Sequence, residues 1–437
     1  MNFREPLRLT ALLLLLGAAG IHGGEYRHTQ FNFDQAEAVA DQQLGRKVDP
    51  KAAQGNQGVQ GAQVEKIKLD PNAPKLCPNC KGTFQIPCPN FPTKVPHVLI
   101  QGQENKVCPL CQSVGFVICP VCKQKPENKD ACADAETRWK AVQKTMQDGL
   151  AYAKSLEAPD KLGYKVSGYA TPHLGLVSTM PERVALSCAS HGESLIAKLN
   201  VEFKGEHFFF TSPSDLHGYL IDTPPQYKTL LEKLIAPRYK DYDMALALKT
   251  AGDWASNPPS FIAAFYDHLG KSQPAAEHLF VHSLAHVLLN RVEATRHYPA
   301  WVQEGFAAYG ETLELGQPET YCCAYDSVKV DLAANRNRVL TDMIKKNQVI
   351  KLDLLTKMDL TDMKSKEYYQ AWSMITMLIE RDADKFRAFL KALPEGSMEQ
   401  GGLVIKSEDQ EAALKEAYGY DFPKFLAVWQ QYVLYGK

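Results

Sequence analysis

The chain has 437 residues, 45% of them hydrophobic and 23% charged, with Lys and Arg totalling 49 against 50 for Asp and Glu. That balance excludes a net field drawing the whole molecule to nucleic acid or anionic lipid, and no local basic patch replaces it, so no nucleic-acid partner is expected. The hydrophobic share suffices for an ordinary core and the length for more than one domain.

At the N-terminus, MNFREPLRLTALLLLLGAAGIHGGEY places Arg4 and Arg8 before an apolar run from Leu9 to Ile21, with Gly23 and Gly24 behind it. A basic start, a short apolar stretch and small residues are the layout of a secretory signal peptide, here over residues 1–23. The run falls short of the about 20 apolar residues that span a bilayer. The mature chain is therefore expected to be exported, to the periplasm, the cell envelope or the outside, without a membrane span. Residues 24–74 turn polar (DQQLGRKVDPKAAQGNQGVQGAQ) and read as a flexible linker.

Seven of the eleven cysteines fall between Cys77 and Cys122, which marks a small module over residues 75–125. Its halves, CPNCKGTFQIPCPNF and CPLCQSVGFVICPVC, share the plan C-x2-C-x7-C-x2-C, except that Phe91 stands at the last position of the first. A pair of thiolates two residues apart grips one tetrahedral zinc from two sides, and two such pairs complete the site. The module resembles the DnaJ-type cysteine-rich zinc domain, including Gly82 after the first pair. That resemblance implies one complete zinc site at Cys77, Cys80, Cys119 and Cys122. It implies a second at Cys88, Cys108 and Cys111, lacking a ligand at Phe91, for which His97 is a candidate. Three readings stay open: a structural zinc knot, a surface for unfolded or partner polypeptide, or disulfides formed in an oxidising compartment. The odd count of seven argues against a clean disulfide set, and no HPD triad accompanies the module. Cys132, Cys188, Cys322 and Cys323 lie outside it.

From Asp134 to Leu156, the residues Trp139, Val142, Met146, Leu150 and Tyr152 recur at helical spacing and open a larger domain over 134–437. Strands are expected at His173–Ser178 and His207–Thr211, with a helix over PERVALSCASHGESLIAKLNVEF between them. After Pro224 nearly everything reads as helix, so the expected class is α+β, mostly helical.

Within that half lies SQPAAEHLFVHSLAHVLLN, with Ser272 as N-cap and Pro274 in the first turn of a helix expected to run through Val292. On it His282 and His286 stand one above the other, four apart, as two imidazoles on one metal must. PAWVQEGFAAY supplies a second helix with Pro299 at its start and Glu304 one turn in. The stretch resembles the gluzincin pattern, H-E-x-x-H followed by a glutamate in W-x-x-E-G-x-A-x-Y. YYQAWSMITMLIERDADKFRAFLKAL and ALKEAYGYDFPKFLAVWQQYV resemble the helices that follow the zinc site in peptidase MA-like families. The resemblance implies zinc ligands at His282, His286 and Glu304.

One departure decides the chemistry expected: Ser283 stands where the family has its general-base glutamate. Serine has no basic oxygen at neutral pH, and loss of a positioned base costs about 10²- to 10⁴-fold in rate. His278, four residues before His282, is the replacement base or extra ligand to consider; Glu277 points about a hundred degrees away. Tyr309 and Tyr369 are candidates to stabilise an oxyanion. The expected protein is an exported, zinc-binding pseudopeptidase that binds polypeptide or an envelope partner. The alternatives are an active zinc peptidase with a non-standard base, and a scaffold with a vacant cleft.

Overall fold

The computed structural model describes residues 31–46, 85–88, 98–103, 108–203, 216–239, 242, 244–248, 252–255, 260–291, 298–320, 332–360, 362–399 and 402–436. The expected signal peptide, the strand at His207–Thr211, and Cys77, Cys80, Gly82, Phe91, His97, Cys322 and Cys323 lie outside them.

In chain order the elements are α1 (Phe33–Gln43), β1 (Gln85–Pro87), β2 (Leu99–Ile100), β3 (Phe116–Ile118), α2 (Pro120–Lys123), α3 (Lys129–Ser155), β4 (Ser167–Ala170), β5 (Gly175–Ser178) and α4 (Glu182–Glu202). There follow β6 (Leu216–Ile221), α5 (Pro224–Leu230), α6 (Met244–Ala247), β7 (Gly252–Ala255), β8 (Ser260–Phe265), α7 (Gln273–Asn290) and α8 (Ala300–Leu315). The rest are α9 (Leu332–Lys345), α10 (Leu352–Leu355), α11 (Ser365–Arg381), α12 (Ala383–Ala392), β9 (Ser397–Glu399), β10 (Gly402–Val404), α13 (Ser407–Tyr418) and α14 (Phe422–Tyr435). The class is α+β and mostly helical, as expected. Among the described residues no helix is long and apolar enough to cross a membrane.

A mixed six-stranded sheet in the order β2-β4-β5-β6-β8-β7 forms the floor. β5, β6 and β8 run parallel, and β7 closes the edge antiparallel to β8. The expectation that the chain is almost wholly helical after Pro224 therefore fails at β7, β8, β9 and β10, and for β8 the reason is burial on both faces. Leu216, Leu220, Ile262 and Ala264 face the core under the helices, while Tyr219, Ile221, Phe261, Ala263 and Phe265 belong to a second core on the other side. Strands covered twice lose the alternation that marks a strand and read as unbroken apolar runs.

Two further boundaries move. The first concerns residues 24–74, because α1 lies inside the stretch expected to be linker. Its small buried face (Ala36, Ala38, Ala40) lets it lie against α14, Phe31 packs edge-on to Tyr432 at 5.4 Å, and Arg381 pairs with Glu37 at 2.9 Å. The second concerns the cysteine module, which does not stop at a clean edge. β2 pairs with β4 (Leu99↔Ala170, Ile100↔Tyr169), and Leu99 and Val114 share a core with Met146 and Leu150 of α3.

Candidate functional site

α7 begins where the sequence says it should. The Ser272 side chain accepts the Ala275 N–H at 3.4 Å, Pro274 occupies the first turn, and the helix ends at Asn290, two residues before Val292, which is not described. From His278 to Asn290 every residue is buried, so the helix runs through the middle of the domain and not along its surface. α8 follows Pro299 and ends at Gly316, whose positive φ of 84° makes the left-handed cap that glycine tolerates best.

The two helices touch through small residues. A Cβ added at Gly310 of α8 would lie 2.8 Å from the Cβ of Ala285, the residue just before His286 on α7. On its other side α8 approaches α11 so closely that a Cβ at Gly305 would meet the Ala371 carbonyl at 2.7 Å. Gly310→Ala is expected to push α8 off α7, destabilise the protein by about 1–3 kcal/mol, and weaken whatever metal binding the pair supports. Urea unfolding and zinc titration of the variant check this; an unchanged midpoint would show that the helices separate without strain.

That close approach brings His282, His286 and Glu304 together. His282 Nε2 and His286 Nε2 lie 3.1 Å apart. Glu304 Oε2 is 3.5 Å from the first and Oε1 is 3.4 Å from the second. A tetrahedral ion with bonds of about 2.0–2.1 Å to nitrogen and oxygen holds its ligand atoms about 3.3–3.4 Å apart. The three side chains therefore already have the edges of such a site. They are 0–2% exposed, and neither Glu304 oxygen makes a hydrogen bond. Burial works against ionising Glu304, but the His282 and His286 imidazoles outweigh it and hold the carboxyl well below its usual range. A buried, ionised carboxylate whose oxygens reach the two imidazoles only at 3.4–3.5 Å is costly unless a cation faces it more closely. Orphaned oxygens, converging nitrogens and fitting distances together suit a divalent metal.

The surroundings fix the imidazoles. Trp254 of β7 lies flat on His286, with ring centroids 4.6 Å apart and planes 4° from parallel. His282 presents Nδ1 to Glu311 Oε1 at 2.7 Å, and His278 presents its own Nδ1 to Glu311 Oε2 at 2.7 Å. Glu311 escaped notice in the sequence, although it lies seven residues after Glu304, two turns on along the same helix face. Its carboxyl is held below the usual range because the two imidazoles overcome the penalty of burial.

The residues weighed as substitutes for the missing base are placed elsewhere. His278 is tied to Glu311 on the Nδ1 side of His282, behind the cradle, while its Nε2 faces Glu319 at 3.7 Å. Burial opposes its protonation, but the Glu311 bond prevails and raises its pKa. Glu277 bonds Gln273 at 2.7 Å and also Ser187. Tyr309 and Tyr369 are buried, the first beside Phe306 and the second beside Tyr368. Ser283 is 2% exposed.

In the cysteine module the structure groups Cys88, Cys108 and Cys111, all buried, their sulfurs within 4.8 Å of one another. Cys88 Sγ and Cys108 Sγ are 3.7 Å apart. That is far beyond a disulfide bond and close to the about 3.8 Å edge of a tetrahedral site with Zn–S bonds of about 2.3 Å. Burial chiefly, with the two neighbouring sulfurs adding to it, pushes the Cys111 thiol up to about 12. A metal reverses that by taking the thiolate form. The turn that positions Cys108 and Cys111 carries Gln112 and Ser113 at φ of 50° and 68°, followed by Gly115 at 86°. Cys119 and Cys122 are buried elsewhere in the module and pack with Cys132 of α3, a neighbour that spacing alone did not suggest.

No curated protein matches the chain. Residues 276–397, the stretch that holds His278, His282, His286, Glu304 and Glu311, match a family described as "Protein of unknown function (DUF1570)".

Proposed function

We propose that His282, His286 and Glu304 hold zinc in a gluzincin-like domain that has lost peptidase chemistry, and that the exported protein binds polypeptide or an envelope partner through the old substrate cleft. The observation that carries this reading is the convergence of the three side chains at ligand distances with Ser283, not glutamate, beside His282. Zinc in such a place polarises a carbonyl and activates water. The chain's own residues supply the rest: two imidazoles and one carboxylate bind, Glu311 orients His282, and Trp254 covers His286. Among the described residues, no group in the cradle is a base fit to take a proton from an attacking water, because the short Ser283 hydroxyl is neutral and His278 is committed to Glu311.

A polypeptide occupant is supported by the position of β7. It is the outer strand of the sheet, and its Trp254 stacks on His286, so the sheet edge and the cradle adjoin. An extended chain adds to such an edge through main-chain hydrogen bonds. The DnaJ-type reading of the cysteine module, with zinc as its metal, belongs to the same proposal. It is supported by the spacing of Cys88, Cys108 and Cys111.

Elemental analysis of the purified natural protein and of His282→Ala tests the metal. The variant is expected to lose one zinc per chain; equal content would remove the ligand assignment. Incubating the zinc-loaded natural protein with an unbiased peptide library tests the chemistry. Cleavage above the His282→Ala background would replace this reading with that of an active zinc peptidase using a non-standard base.

A further inference from the structure

Glu311 makes more contacts than a support for one histidine requires. Its carboxylate is fully buried and accepts from four donors: His282 Nδ1 and His278 Nδ1 at 2.7 Å each, the backbone N–H of Glu319 at 2.9 Å and that of Thr320 at 3.2 Å. The Thr320 carbonyl in turn accepts the Tyr368 hydroxyl of α11 at 2.5 Å. One carboxylate thus joins two turns of α7, its own helix α8, and the chain just after α8 ends.

The geometry has a direct consequence for His282. With Nδ1–H given to Glu311, the ring keeps its lone pair on Nε2, the atom that faces His286 and Glu304. A ligand histidine held in this way is fixed in tautomer and in rotation about its ring axis. His278, one turn earlier on α7, holds the second carboxylate oxygen, so the carboxylate cannot swing away.

We propose that Glu311 is the positioning residue of the cradle and that it couples metal binding there to the chain segment at Glu319 and Thr320. The inference rests on the reading of His282, His286 and Glu304 as metal ligands. A cation on Nε2 polarises the imidazole and strengthens the Nδ1–H bond to Glu311. The carboxylate so held is a fixed acceptor for the two backbone amides. By linkage, ordering those amides favours metal in equal measure.

Two measurements on the full chain test it: zinc affinity at the cradle, by competition with a chromophoric chelator and taken as the difference from His282→Ala, and amide hydrogen exchange of the peptide carrying Glu319 and Thr320. Glu311→Gln keeps the shape and removes the charge; it is expected to lower zinc affinity about 10- to 100-fold. Zinc is expected to slow exchange at 319–320 in the natural protein and to do so far less in Glu311→Gln. A merely structural glutamate would alter stability without altering the response of that peptide to zinc. An affinity within about twofold of the natural value, or exchange at 319–320 that ignores zinc, overturns the proposal. Should Glu311→Gln not fold, His278→Gln removes a single donor and no ligand; a smaller affinity loss supports the proposal and no loss overturns it. Equal zinc in His282→Ala and the natural protein would instead sink the metal reading, and this inference with it.

Discussion

Ser283→Glu is expected to turn the zinc-loaded chain into a peptidase, raising hydrolysis by about 10²- to 10⁴-fold over the natural protein, the usual contribution of a positioned general base. The expectation rests on what is already in place. His282, His286 and Glu304 converge at 3.1–3.5 Å, and residue 283 follows His282 directly on α7. Rigid placement matters because a base works only within hydrogen-bond reach of the proton it takes. Helices α7 and α8, buried from His278 to Asn290 and from Ala300 to Thr312 and locked by the Ala285–Gly310 contact, provide that rigidity. A peptide-library digest with His282→Ala as background reads the result. If Ser283→Glu binds zinc normally and still cuts nothing, the missing base alone does not account for the lack of cleavage.

Cys108→Ser has the other large expected effect. A segment with so little core of its own needs a further source of folding free energy, and metal binding, worth about 10 kcal/mol or more in zinc-finger peptides, is the one proposed for it. Taking one of three clustered sulfurs is expected to remove one zinc and to open the β1–β3 ribbon, whose pairing (Gln85↔Ile118, Pro87↔Phe116) lies beside the cluster. The main body should stay folded, since its core does not depend on those sulfurs. Limited proteolysis between residues 85 and 118 and elemental analysis follow the two effects. Full zinc content with unchanged protease resistance would show that Cys88, Cys108 and Cys111 are only packed thiols.

What could be read from the sequence was local and rule-bound. Ser272 with Pro274 marked the start of α7 to the residue, and four-residue spacing put His282 and His286 on one face. The motif around Glu304 then placed the third member of the cluster, although it lies on another helix. Glu311 was missed because it belongs to no ligand pattern; what gives it meaning is its position beside two imidazoles in space, and helix periodicity alone was the available clue. His278 looked like a spare base because it shares a face with His282, but shared face does not say which way a ring turns. β8 (SFIAAF) was lost to its own burial, since both of its faces are covered. α1 was hidden by composition: an alanine-rich, acidic segment buries too little to fold alone and is helical here because α14, Arg381 and Lys424 give it something to lie on.

That seating of α1 changes what counts as the edge of the large domain. Lys424 meets Asp41 at 2.8 Å, the Tyr420 hydroxyl donates to Glu37 at 2.6 Å, and Arg46 pairs with Asp421. A piece of chain that precedes the cysteine module by some forty residues is thus part of the body that follows it. The module is tied to the domain from within, because β2, which lies between Cys88 and Cys108, pairs with β4 of the large sheet. A fragment begun at residue 75 or 134 would uncover Tyr432 of α14 and leave Arg381 without Asp34 and Glu37. The smallest piece worth expressing starts ahead of Phe31.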